Sequence, residues 1–136
     1  MNNAENPTPE STGIEDAILL PDVPPSSHPP LPPSRIGVIT RTKKIDGSPM
    51  IYRVEDEDFF IAPSNLGKAF RLQQLRFDDG AGFETGHTEY RICYYMIAHR
   101  PRMKGKWAFG QFAPLMTPEE LSLIVSKLRN KGWIVE

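Results

Sequence analysis

Apolar and polar positions follow different rules in different parts of this chain. Over residues 36–42, Ile36, Val38 and Thr40 alternate with Gly37, Ile39 and Arg41, the period of a strand with one buried face. Asp46-Gly47 is a hairpin turn signal, returning the chain into a β-branched and aromatic run at 50–54. The acidic run 55–58 is expected at the next turn, with a short apolar strand after it at 59–62. Pro63-Ser64 is read as opening a short helix that extends to about Ala69, although Gly67 weakens it. Residues 70–77 fit helical and extended periods almost equally, and a strand is expected there. Glycines at 80, 82 and 86 mark a loop, and 90–98 is the clearest strand pattern in the chain. The loop at 100–106 leads to an expected antiparallel partner strand at 107–115.

The last element is signalled three ways. Thr117 is an N-cap, Pro118 suits the first helical position, and Glu120 completes a capping box. Leu121, Ile124, Val125 and Leu128 form the expected apolar face. Lys127, Arg129 and Lys131 complement the helix dipole, and Gly132 stands where a left-handed cap belongs. These elements predict an α+β fold: a mainly antiparallel twisted sheet with a C-terminal helix on one face.

Residues 1–35 do not share this patterning. They hold nine of the 14 prolines, five acidic residues, one basic residue (Arg35) and no aromatic, so they are expected to be a disordered, acidic tail before a single globular domain at 36–136. Within the tail, Thr12-Gly13-Ile14-Glu15 has capping-box spacing and opens a short segment whose apolar residues include Ile14, Ile18 and Leu19. Two helical turns of this kind would be stable only against a partner or the domain itself. Residues 21–33 favour polyproline II, a semi-rigid spacer. Pro30-Leu31-Pro32-Pro33-Ser34-Arg35 resembles SH3-domain ligands, which implies prolines in aromatic grooves and Arg35 on an acidic patch. A protein partner reached through residues 12–35 is therefore one expectation, with Pro30, Pro33 and Arg35 as contact residues.

Composition narrows the function classes. The formal net charge is −1, and one cysteine, Cys93, rules out a disulfide within the chain and a finger-type zinc site. The N-terminus lacks the basic start and apolar core of a signal peptide, and the longest apolar run, 92–98, is far below the roughly 18 residues that span a bilayer. A soluble protein of the cytoplasm or nucleus, without membrane contact, is expected.

The most distinctive local chemistry is Arg100-Pro101-Arg102-Met103-Lys104-Gly105-Lys106-Trp107, with a cation at every second position. In an extended arm this spacing would send Arg100, Arg102, Lys104 and Lys106 to one side, an edge suited to tracking phosphates, with Trp107 available to stack on a base. The opposing reading is a charged, solvated hairpin tip. Residues 84–136 hold eight basic and five acidic residues, fewer than a strong duplex binder usually carries.

A second cluster, Asp78, Asp79, Glu84, His87 and Glu89, offers enough oxygen ligands for a divalent cation, and is otherwise a solvated loop. Asp79 followed by Glu89-Tyr90-Arg91 resembles the acid, acid-x-lysine pattern of restriction-type nucleases. That resemblance implies metal-dependent cleavage, but Arg91 stands where those enzymes have a lysine. No phosphate-cradling glycine loop and no nucleophile elbow is present. The expected function is thus a non-enzymatic binding or adaptor protein that holds nucleic acid or another polyanion through the cationic loop, with no catalytic residue, metal or cofactor assigned. A purely protein-binding adaptor and a metal-dependent nuclease are the alternatives.

Overall fold

The computed structural model describes residues 29–99, 101–110 and 113–134. The helical and docking expectations for residues before 29, including Ile14, Ile18 and Leu19, lie outside the described residues, as do Arg100, Phe112 and Val135. The described chain forms a five-stranded sheet in the order β1 (Ile39–Lys43), β2 (Pro49–Ile61), β3 (Lys68–Phe77), β4 (Thr88–Ile97), β5 (Trp107–Phe109), followed by the helix α1 (Pro118–Asn130). The pairs β1–β2 and β4–β5 are antiparallel, with Ile39 opposite Arg53 and Met96 opposite Ala108. The fold class read from the sequence is the one observed. By their contacts the described residues divide into two compact units: those at 29–32, 60–70 and from 93 to 134 in one, residues 33–59 and 71–92 in the other. We call them the helical unit and the hairpin unit.

In the hairpin unit, the turn between β1 and β2 forms where Asp46-Gly47 predicts it. The Asp46 carboxylate accepts from the Ser48 N–H (2.9 Å) and hydroxyl (2.6 Å), and Lys44 N–H donates to the Ser48 carbonyl. The first strand starts three residues later than the alternation suggests. Val38 N–H turns back to the Arg35 carbonyl, and Gly37 N–H reaches Val54.

The acidic run 55–58 is not a turn. It lies inside β2, which continues to Ile61. Three features make this stable. Asp56 and Asp58 accept from the N–H of the residue that follows each (2.8 and 2.9 Å). The buried Glu57 meets Arg71 and Gln73 on β3. The strand is also bulged: between the Tyr52–Phe77 ring contact and the stacking of Arg71 on Phe59, β2 uses one residue more than β3. By contrast β3 and β4 stay in register throughout this unit, from Phe77 N–H on the His87 carbonyl to Gln73 beside Arg91.

In the helical unit, no helix starts at Pro63. Asn65 closes a tight turn instead, its side chain accepting from Gly67 N–H and its carbonyl from Lys68 N–H, and β3 begins at once. The partner strand expected at 107–115 is the shorter β5, Trp107–Phe109, and Gly110 after it keeps the same pairing with β4 directly under a ring. A Cβ there would stand 2.1 Å from the Tyr94 ring, while Gly110 N–H donates to the Tyr94 carbonyl. Phe70, Tyr94, Trp107 and Ile124 are buried here, each contributing about 1.5–3 kcal/mol of transfer free energy.

The helix has the capping box its sequence announces. Thr117 Oγ1 accepts from Glu120 N–H (3.1 Å), and Thr117 N–H donates to Glu120 Oε1 (3.0 Å). Gly132 takes the left-handed conformation (φ 75°), and Trp133 N–H closes back on Leu128. The buried face is rotated from the expected one. Leu121 is half exposed, whereas Glu120 is 1% exposed and Ile124 is 1% exposed.

Glu120 is tolerated inside because its second oxygen accepts from the Ser64 N–H (3.2 Å) and hydroxyl. Burial pushes its carboxyl up, but the bonds from Ser64 and Thr117, with the charge of Lys68, outweigh that and hold it below the ordinary glutamate value. Lys68, itself buried, donates to the Leu115 carbonyl over the rings of Phe70 and Tyr94, and burial lowers its pKa against the pull of Glu120. Glu120→Ala removes the side-chain acceptor of the Thr117 N–H, the acceptor of Ser64 and the counter-charge of Lys68 together, while the bond from its own N–H to Thr117 Oγ1 remains. It is expected to cost about 3 kcal/mol in urea unfolding, and Thr117→Ala, which removes only the cap, about 1 kcal/mol.

Candidate functional site

The cationic loop is a turn and not an extended arm. Gly105 N–H donates to the Ala98 carbonyl (2.8 Å), Ala98 N–H to Lys106 (2.9 Å), and Lys106 N–H to Met103 (2.9 Å), so residues 101–106 fold back on themselves. A period of two along the chain therefore no longer sends the cations to one side. Arg102, Lys104 and Lys106 are nevertheless all exposed, and no described residue gives any of them a salt bridge.

Trp107 is not a stacking platform. It is 7% exposed, and its indole N–H donates to the Pro29 carbonyl (3.3 Å). A tryptophan after a charged loop looks available in sequence. Here its position as the first residue of β5, opposite Ile97, turns it into the core.

In the stretch assigned to a tail, Pro30, Pro33 and Arg35 are exposed, yet the backbone is engaged. Arg71 Nη2 donates to the Pro33 carbonyl (3.1 Å), and Arg35 N–H donates to Glu57 Oε2 (2.9 Å). Among the described residues, contacts are thus also made by residues 33 and 35, just ahead of residue 36.

The acidic cluster is only partly assembled. Asp79, His87 and Glu89 meet: His87 Nδ1 lies 2.8 and 2.9 Å from the two Asp79 oxygens, and Nε2 lies 2.7 Å from Glu89 Oε2. Asp78 is used otherwise, accepting from the N–H groups of Gly80 (2.8 Å) and Gly82 (3.1 Å). Glu84 lies outside, beside Gly82. Among the described residues, no group of three or more His, Cys, Asp or Glu side chains is placed to hold a metal ion. Asp78, Asp79, His87 and Glu89 line a concave pocket of about 610 Å³, together with Lys44, Met50 and Phe77.

Sequence reasoning missed a polar network on the same sheet. Arg91 donates through Nε and Nη2 to Gln73 Oε1 (3.0 and 2.7 Å) and through Nη1 to the Tyr52 hydroxyl (3.1 Å), over whose ring it stacks. Gln73 in turn donates to Glu57 (3.1 Å), which faces Arg71. The available signal was in β3 itself, where Arg71 and Gln73, two apart, share one face of a strand that also carries Lys68, Gln74 and Arg76. Burial pushes Glu57 up. Hydrogen bonds from Arg35, Gln73 and Ser34, with the Arg71 charge, more than reverse this and hold it below the usual value.

Glu57 therefore contributes stability that is fully present above its ordinary value of 4.5 and is lost as pH falls through its lower folded value. Glu57→Gln is expected to cost about 3 kcal/mol at neutral pH by leaving Arg71 without its carboxylate, and to flatten the acid limb of the stability curve in denaturant titrations.

The chain matches no family model, and neither a curated protein nor a solved structure matches it.

Proposed function

We propose that this chain is a non-enzymatic binding protein that holds nucleic acid, or another polyanion, on the turn at 101–106. The observation that carries this is the local charge. Arg102, Lys104 and Lys106 stand within five residues, all exposed, on a turn pinned by three backbone hydrogen bonds and with no described acidic partner. Like charges held this close repel one another, and phosphates relieve the repulsion while releasing counterions.

With Trp107 turned inward, the contact is electrostatic and indifferent to base identity, so strong salt dependence and weak sequence preference are expected. The same reading places the protein in the cytoplasm or nucleus, where such ligands are found. The alternatives draw less support. The Pro33 carbonyl and Arg35 amide of the SH3-ligand-like motif are bonded to the domain, and both ring nitrogens of His87 already face carboxylates.

The test is fluorescence anisotropy of labelled single strands and duplexes with the full chain across a salt series. Binding is expected at low salt. Changing Arg102, Lys104 and Lys106 together to alanine should reduce the log–log salt slope by about 2 for a single strand. No binding by the unaltered chain at low salt, or an unchanged slope in the triple variant, would overturn the reading.

A further inference from the structure

His87 closes the loop that joins β3 to β4. Its backbone is fixed by the ladder, since its carbonyl accepts from Phe77 N–H (2.8 Å), and its ring stacks on Phe77 at 4.8 Å with 6° between the planes. The two carboxylates around it are side chains at the surface, Asp79 43% and Glu89 60% exposed. A carboxylate only accepts hydrogen bonds, so a ring with carboxylate oxygens at both nitrogens must bring a hydrogen on each. The geometry is that of an imidazolium.

We propose that His87 is a proton-operated latch: protonated, it holds Asp79 of the loop and Glu89 of β4 on its two sides, and on losing its proton it releases the Glu89 carboxylate. The asymmetry of the contacts decides which side opens. Asp79 presents both oxygens to Nδ1, whereas Glu89 presents one to Nε2, so the remaining hydrogen stays on Nδ1 and the bare Nε2 lone pair faces Glu89. That contact turns repulsive and the carboxylate swings away.

The other charged groups lining the same pocket are Lys44, from the turn between β1 and β2, and Asp78, whose carboxylate is engaged by the Gly80 and Gly82 amides. Deprotonation thus removes one of the pocket's two positive charges and frees a carboxylate at its rim. Hydrogen bonds to Asp79 first and Glu89 second raise the His87 pKa above its ordinary 6.5. The latch is therefore closed below pH 6.5 and opens as pH rises through the higher folded value.

The experiment is an NMR pH titration of the full chain, following the His87 ring and the Glu89 side-chain carboxyl carbon. The expected result is a His87 midpoint above 6.5, with the Glu89 carbon shifting at that same midpoint. The Glu89→Gln variant should lower the midpoint, and Asp79→Asn with Glu89→Gln should abolish the upward shift. A wild-type midpoint at or below 6.5, or a Glu89 carbon that does not respond across the His87 transition, overturns the latch, and both are read on the unaltered protein.

Discussion

A carboxylate taken out of water has to be given donors, and among the described residues Glu57 and Glu120, whose side chains are largely covered, find theirs in segments far apart in sequence. Glu57 gathers Arg35 from the approach to β1 with Arg71 and Gln73 from β3. Glu120 gathers Thr117 at the helix start and Ser64 from the turn between β2 and β3. One such residue stands in each compact unit. Either is costly to bury alone, so the placement of the surrounding segments answers to the carboxylate as well as to the apolar core. Removing the acid leaves its donors stranded.

Local signals were legible where a few neighbouring residues decide the outcome. The capping box at Thr117 and Glu120 and the Asp46-Gly47 turn were both readable because their hydrogen bonds close within four residues. What escaped was decided at long range. Four consecutive acids look like a turn until Arg71 and Gln73 are known to face the third of them. Leu121 belongs to an apolar stripe by spacing, but Glu120 takes the inward position because Ser64 is there to receive it.

The candidate sites divide in the same way. The cations at 102, 104 and 106 were readable as a charged loop, but their arrangement was not, since the turn is closed by bonds to Ala98. Trp107 looked like a ligand-facing ring only while its strand partner was unknown. His87, Asp79 and Glu89 were grouped from sequence as possible metal ligands. The folded chain pairs them through protons, an outcome set by the β3–β4 register that brings His87 beside Phe77.

The bulge in β2 changes how this stretch of chain must be compared with any other. Before it, Tyr52 shares a sheet face with Phe77; after it, Glu57 and Phe59 share that face with Gln73 and Arg71, so the parity of inward positions reverses partway along one strand. Deleting a single residue between Tyr52 and Glu57 would restore strict alternation, yet it would turn Tyr52 to the opposite side and strip Arg91 of its hydroxyl acceptor. A distant relative is therefore expected to preserve the phase change in its hydrophobic pattern even where the acidic residues themselves have been replaced.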